Sequence, residues 1–355
     1  QFFGVRFAEG MGCQRGDETP AVNTRPVMGN AGCPFSEVGG ECRIVWCDQP
    51  PYVAEDLTAD LLGKEDAIFV TSGTQSNLTA LLWHCGRGVE YVGGFGYHIP
   101  TYEAAGAAVL GGISPRHLKP DADGALKPDE IEATIAPDDP HFAVTKLLCV
   151  ENTFNGKVVP QEKLESAAQV ARANGLNVHV DGARLMNAVV KSNASAAEMV
   201  GFADSVSLCL SKGLGAPVGS VLAGPGDFIK RAHRNRKLLG GGLRQAGVLA
   251  ACGLYALDNH LERLAEDHAH ASALAEMLSG VDGITIDPAS VQTNMVWMTI
   301  AEDKRDGLSA YMRANGIITA SPDSRTGSLR LVTHLDFPKT AIDTVVQSFE
   351  TWMAR

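Results

Sequence analysis

The stretch Ser205-Val206-Ser207-Leu208-Cys209-Leu210-Ser211-Lys212-Gly213-Leu214-Gly215-Ala216-Pro217-Val218-Gly219-Ser220-Val221-Leu222-Ala223 reads as two short strands joined by a glycine-broken turn. The first run, Ser205–Leu210, is short and largely apolar, which suits a strand covered on both faces. It ends in Ser211-Lys212, and the glycines beyond stop the strand at once. A lysine in that position is held at a strand end. Partial burial disfavours its charged form, and a neutral amine can attack an aldehyde to form a Schiff base. The same residues also read as a plain loop lysine beside a glycine turn, so the rest of the chain has to decide.

Outward from this stretch, helix and strand alternate from about residue 55. Ala54–Lys64 reads as a helix, Ala67–Val70 as a strand, Gln75–His84 as a helix and Val89–Val92 as a strand. Tyr102–Leu110 reads as an Ala-rich helix. Pro128–Ile135 reads as a helix with Asp129 and Glu130 in its first turn, where the dipole favours them. Lys146–Val150 is a strand, Gln161–Asn174 a helix closed by Gly175, and Leu176–Val180 a strand. Such alternation gives an α/β domain with a mostly parallel, doubly wound sheet. Its ligand belongs at the carboxyl ends of the strands.

After about Gly247 the pattern changes. Helices over Val248–Asn259 and Leu261–Leu278 precede strands at Ile284–Ile286 and Met295–Ile300, a helix over Gly307–Asn315, strands at Ile317–Ile318 and Leu329–Thr333, and a last helix over Lys339–Met353. The expected division is an irregular segment over residues 1–53, a large α/β domain over 54–247 and a smaller C-terminal α+β domain over 248–355.

The 355 residues are 45% hydrophobic and carry a net charge of -11, with no block of Lys and Arg. That balance argues against nucleic acid or an anionic membrane as main partner. No run is long and apolar enough to span a bilayer, and Gln1–Arg6 lacks a cationic region followed by an apolar one, so no signal peptide is expected. Cys85, Cys149, Cys209 and Cys252 sit in apolar contexts and read as small buried hydrophobes. Cys13, Cys33, Cys42 and Cys47 lack the paired spacing of a zinc site, so no metal is expected. The reading is a cytoplasmic protein.

Four features fall at strand ends or just beyond. Ser72-Gly73-Thr74-Gln75-Ser76-Asn77 opens a helix. Free N–H groups, a hydroxyl and the helix dipole make an anion site there, although the same residues make a good N-cap. Val178-His179-Val180-Asp181-Gly182-Ala183-Arg184 closes an apolar strand with an aspartate and sets an arginine after it. A buried carboxylate needs a cationic partner. The pair therefore reads as a helix cap, or as an aspartate that keeps a cofactor's ring nitrogen protonated. His98, in Phe95-Gly96-Tyr97-His98-Ile99-Pro100, lies between a strand and a helix, where it is solvated or else placed to stack on a ring or move a proton. Lys212 is the fourth. Phosphate site, histidine, aspartate and lysine, each at a separate strand end, are the parts that pyridoxal 5'-phosphate (PLP) needs.

Together with Tyr102–Gly111, Glu151-Asn152-Thr153, Arg236–Gln245 and Leu329–Asp336, these motifs resemble those of the low-specificity L-threonine aldolases (L-allo-threonine aldolases), PLP-dependent enzymes of fold-type I. The resemblance runs from about Leu57 to the C-terminus. It implies reversible retro-aldol cleavage of L-threonine, L-allo-threonine and related β-hydroxy-α-amino acids to glycine and an aldehyde. By the same resemblance Lys212 carries PLP, Gly73 and Thr74 bind its phosphate, and Asp181 pairs with the pyridine nitrogen. His98 stacks on the ring and helps deprotonate the substrate hydroxyl. Arg184 lies near the ring's phenolic oxygen and the substrate carboxylate, which Arg330 clamps. Ser72, Ser211 and Arg244 complete the cofactor-binding set. Lys237 and Arg244 reach the site of a neighbouring subunit, which implies a homo-oligomer, a dimer of dimers, with active sites at the dimer interface.

Two departures stand out. Family members carry His after Glu-Asn-Thr, facing the substrate's β-hydroxyl; here the residue is Phe154, which implies altered handling of the β-substituent. Near the start, Asn23-Thr24-Arg25-Pro26 matches the family's Thr-Arg-Pro motif in part, but Pro20 stands where a serine would align. Gly39–Val53 has lost the family's acidic loop. A slip of reading frame between about Cys33 and Val53 would produce that pattern. Two alternatives keep the same fold: another PLP reaction, such as β-elimination or hydroxymethyl transfer using Lys212, Asp181 and Arg330, or a non-catalytic homologue. A nicotinamide-binding enzyme is set aside because no GxGxxG follows the first strand.

Overall fold

Strands that are apolar on both faces must be covered on both sides, and helices cover them here. The computed structural model describes residues 50–355. The four N-terminal cysteines, the Asn23–Pro26 motif and most of the irregular segment lie outside the described residues. The large lobe runs α1 (Pro50–Leu62), β1 (Asp66–Val70), α2 (Gly73–His84), β2 (Val89–Gly94), α3 (His98–Tyr102), a π-turn (Ala107–Gly111), β3 (Ser114–Leu118), α4 (Pro128–Thr134), β4 (Val144–Glu151), α5 (Gln161–Ala173), β5 (Asn177–Gly182), α6 (Leu185–Ser192), α7 (Ala196–Val200), β6 (Ser205–Cys209), β7 (Ser220–Gly224) and α8 (Gly226–Leu238).

The strands form one seven-stranded sheet in the order β1-β7-β6-β5-β4-β2-β3. Strand β7 is antiparallel to both neighbours, β1 and β6, and all other pairs are parallel. Every strand but β7 therefore ends at the same edge. There β7 begins, with Ser220 opposite both Val70 and Cys209. Strands β6 and β7 are buried along their whole length. Val178, Val180, Val206, Leu208, Val221 and Ala223 share one core with helix residues such as Leu164 and Leu185. Each large aliphatic side chain buried in this way contributes about 1.5–3 kcal/mol.

The small lobe holds α9 (Gly247–His260), α10 (Leu264–Leu278), β8 (Ile284–Thr285), β9 (Met295–Ile300), α11 (Leu308–Ala314), β10 (Ser328–Val332) and α12 (Ala341–Met353). Its sheet is antiparallel, in the order β10-β9-β8. A second core gathers Leu274, Leu278, Val296, Met298, Leu329 and Phe349. Ala250, Ala256 and Leu257 of α9 pack in the first core, and the second begins at Ala271. A division at 247/248 thus separates the sheets rather than the cores. No helix among the described residues is long and apolar enough to cross a membrane.

Local differences from the sequence reading have physical causes. The helix expected over Tyr102–Leu110 is interrupted: α3 stops at Tyr102, and Ala104 and Ala105 take left-handed φ values of 51° and 55°. Glu103 turns inward to buried partners, and that tertiary contact overrides the helix propensity of alanine. Ile317–Ile318 is not a strand; it pairs with nothing in the sheet, and Ile318 is exposed. Helix α1 starts at Pro50, ahead of the expected Ala54, with proline in the first turn, where its missing N–H costs nothing. Strand β3 was not legible because Ser-Pro-Arg-His-Leu lies at the sheet's edge, the one place a strand tolerates proline.

Candidate active site

The end of β1 and the start of α2 make the first part of the site. Ser72 caps α2, its Oγ accepting the Gln75 N–H at 3.1 Å. The N–H groups of Gly73 and Thr74 sit in the first turn, where no intrahelical acceptor exists. Thr74 is exposed, and a Cβ placed on Gly73 would stand 3.7 Å from Ser220 Oγ. That hydroxyl is buried without a hydrogen-bond partner. The geometry leaves donors pointing at a space that suits an anion.

Asp181, at the end of β5, is 4% exposed. Its Oδ1 accepts the Ala183 N–H at 3.0 Å, and its Oδ2 accepts Asn77 Nδ2–H at 2.8 Å. The same Asn77 nitrogen donates to Glu103 Oε1 at 2.8 Å. That oxygen also meets His98 Nδ1 at 2.8 Å. The His98 N–H donates to Glu151 Oε1 at the end of β4. One polar chain therefore links Asp181, Asn77, Glu103, His98 and Glu151. Burial raises the Glu103 carboxyl above its ordinary range, against the pull of His98 and Asn77. Burial, then the neighbouring Asp181, raises Glu151 well above its range, against the nearby charge of Lys212.

Lys212 is half-buried in the turn between β6 and β7. The turn is stapled from several sides. The Leu210 N–H donates to Gly219 O and the Ala216 N–H to Leu210 O, each at 3.0 Å, and the Gly215 N–H donates to Lys212 O at 2.9 Å. From α9, His260 Nδ1–H donates to Leu214 O at 2.6 Å. Gly215 takes φ +76°, a left-handed value that suits glycine. Ser211, beside the lysine, is exposed.

Arg184 follows β5. Its Nε is buried with no partner in the protein. Burial, then the charge of Arg330, lowers its guanidinium to about 10. Each guanidinium offers a planar fork of donors that suits a carboxylate or phosphate. Arg330, on β10, lies over the Trp297 ring at 5.6 Å, and Trp297 Nε1–H donates to Asn155 O at 3.0 Å.

Phe154 follows Asn152 and Thr153 just beyond the end of β4. Its ring packs 5.4 Å from that of Tyr97, and Gly124, at φ +93°, has no room for a Cβ against it. Lys237 and Arg244 are exposed and have no ion pair among the described residues. The sequence reading gave no role to Asn77, Glu103 or Glu151, although all three stood inside its motifs. Their signal was present: a polar residue on the buried side of α2, and acids beside a strand end and a histidine.

The Beta-eliminating lyase family model matches residues 47–301. A low specificity L-threonine aldolase of Escherichia coli O157:H7 is 48% identical over 315 residues, 88% of this chain and 92% of the relative. A probable low-specificity L-threonine aldolase 2 of Arabidopsis thaliana is 38% identical over 340 residues, 93% of each chain. The chain belongs to the low-specificity L-threonine aldolase family. A solved Leishmania major threonine aldolase superposes with a TM-score of 0.70 at 24% identity, covering 84% of this chain and 88% of its own. A Sphingomonas wittichii serine palmitoyltransferase superposes at 0.67 and 17% identity, covering 86% and 79%. The fold is thus the fold-type I one, and this threonine aldolase family is PLP-dependent. The residues in place fit the cofactor: open donors at Gly73 and Thr74, an orphaned Ser220 hydroxyl, a buried carboxylate at Asp181 and a lysine on the same edge.

Proposed function

We propose that the chain cleaves L-threonine, L-allo-threonine and related β-hydroxy-α-amino acids reversibly to glycine and an aldehyde. The observation that carries this reading is 48% identity over 88% of the chain with a relative of that name. When bound, PLP supplies an electron sink for the pair released as Cα–Cβ breaks. In this reading Lys212 would hold the cofactor through its Nζ. The first turn of α2, with Ser72, Gly73, Thr74 and Ser211, holds the phosphate. Asp181 would pair with the ring nitrogen and keep a proton on it.

Arg330 grips the substrate carboxylate through its planar fork, and Arg184 lies beside it. His98 takes the β-hydroxyl proton. Its Nδ1 is occupied by Glu103, which leaves Nε2 as the nitrogen free to accept. Phe154 borders the β-substituent in this scheme. Lys237 and Arg244 reach the site of a second subunit, flanked by exposed Leu238 and Leu243, in a dimer or dimer of dimers. The four described cysteines are free thiols, which favours a cytoplasmic location.

Purified protein given L-threonine and L-allo-threonine in turn should release glycine and acetaldehyde in equal amounts. 2-Oxobutanoate and ammonia instead would assign β-elimination and overturn the proposal. Arg330→Leu should raise KM for threonine roughly 10–100-fold, the value of a hydrogen bond to a charged group, and lower kcat less.

A further inference from the structure

We infer that Asn77 is a positioning residue that fixes both sides of the cofactor ring site at once, held in orientation by a buried one-way relay from His84 through Ser205 and His179. The inference rests on the proposal that Asp181 and His98 face the cofactor. Asn77 Nδ2 is shared by Asp181 Oδ2 and Glu103 Oε1, each at 2.8 Å. Glu103 in turn holds His98 Nδ1 at 2.8 Å. One amide nitrogen thus stands between the carboxylate set against the ring nitrogen and the carboxylate behind the stacking histidine.

The amide's orientation is not free. Turned over, it would aim its carbonyl oxygen at two carboxylate oxygens, so the NH2 must face them. The carbonyl then faces His179 Nε2 at 3.1 Å and can only accept, so His179 carries its proton on Nε2. Burial lowers that imidazole to about 3, so the ring is neutral and its Nδ1 is bare. Ser205 Oγ lies 2.8 Å from it and supplies the proton. The hydroxyl oxygen in turn accepts from His84 Nε2 at 2.7 Å. His84 is likewise lowered to about 3 by burial, and its Nδ1 ends the relay without a partner.

Every donor in the series points toward Asn77. The four residues are at most 8% exposed, so no solvent competes for these bonds. They tie α2, which carries the phosphate site, to β5 and β6, which lead to Asp181 and Lys212. A residue that served packing alone would not need its amide direction set by three successive hydrogen bonds.

The test uses the PLP-loaded protein and reads cofactor release and the pH response of the visible absorption band. Asn77→Asp keeps the shape but offers at most one proton, so one of the two carboxylates loses its donor. It should bind PLP roughly 10–100-fold more weakly and move the pH response of the band. Ser205→Ala touches neither cofactor nor carboxylates. It frees His179 to change tautomer and should weaken PLP binding roughly 3–10-fold, with a band shift in the same direction. If Asn77→Asp does not fold, Ser205→Ala decides alone. Both variants holding PLP within about twofold of native with an unchanged band would overturn the inference. Lys212→Ala separates the cofactor-site assignment from the positioning role of Asn77. If it keeps a borohydride-reducible visible band, the site assignment itself is wrong. If it loses that band while the Asn77 and Ser205 variants behave as native, only the positioning role is lost.

Discussion

An acid sealed inside a protein keeps its proton to higher pH, and Glu55 is such an acid. Its Oε1 accepts the Phe69 N–H at 2.6 Å, with Arg236 3.8 Å away. Burial, opposed by that N–H and by Arg236, raises the carboxyl from 4.5 to about 7. The folded state therefore binds this proton more tightly than the unfolded one. The resulting stability is complete below pH 4.5 and is lost as pH rises through about 7. His84 and His179 act in the opposite sense below pH 6.5, so the effect is read as a difference between proteins. Melting curves from pH 4.5 to 8 should show Glu55→Gln gaining on native as pH rises; parallel curves would contradict the assignment. Phe154 raises a second question at this scale. Its ring fills a slot between Tyr97 and Gly124, where histidine is smaller and polar. Phe154→His should shift the ratio of threonine to phenylserine cleavage toward threonine, and an unchanged ratio would remove this residue from substrate choice.

Among the elements, the break after α3 is the most telling. Alanine in the left-handed region costs roughly 1–2 kcal/mol, and Ala104 and Ala105 both take it. The chain accepts that strain because Glu103 gains His98 and Asn77. Ala105→Gly removes the clash and loses roughly 0.4–1 kcal/mol to the unfolded chain's added freedom, so relief wins and the melting temperature should rise. Helix α7 shows the reverse case, a short helix made by its cap. Ser195 Oγ accepts the Glu198 N–H at 3.2 Å while Glu198 Oε2 accepts the Ser195 N–H at 2.9 Å. Ser195→Ala should cost about 1 kcal/mol of stability in a denaturant titration. These elements also show what the sequence could reveal. Apolar runs such as Ala67–Val70 and Leu147–Val150 announced buried strands because burial on both faces leaves no polar alternation. Asp181 and Lys212 stood out as candidates because each lies where a strand stops, and His98 because it lies just beyond one. Helices α6, α7 and α8 were not: α8 is mostly basic with a narrow apolar side, and α7 is too short for a period. Asn77 and Glu103 stayed silent because their meaning lies in a contact between residues 26 apart in sequence, which no local pattern encodes.

At the scale of the whole molecule, the small lobe grips the loop that carries Phe154. Gln292 Oε1 accepts the Val158 N–H at 2.7 Å, Thr293 Oγ1 donates to Gly156 O at 2.6 Å, and Trp297 Nε1 donates to Asn155 O. The arginine over Trp297 is thus tied to that loop through the tryptophan's own ring. The proposed association of subunits belongs to the same scale. Leu238, 78% exposed, adjoins Lys237 and, with Leu243, lies on the face proposed to meet a second subunit. On that proposal Leu238→Asp should lower the assembly size seen by sedimentation and, by withdrawing Arg244 from the proposed neighbouring site, reduce PLP retention. A variant with the native sedimentation coefficient would remove this face from the interface.

The stapled turn around Lys212 also has a consequence in time. A reactive side chain on a loop usually shares the loop's mobility, and mobile loops open with little free energy. Here the turn joins two adjacent buried strands, and its amides at Leu210, Gly215 and Ala216 are all bonded within the turn. Those amides should exchange their hydrogens as slowly as the sheet interior, on the clock of global unfolding. In the proposed reaction the lysine would then act from a fixed platform, and only its own side chain would have to move.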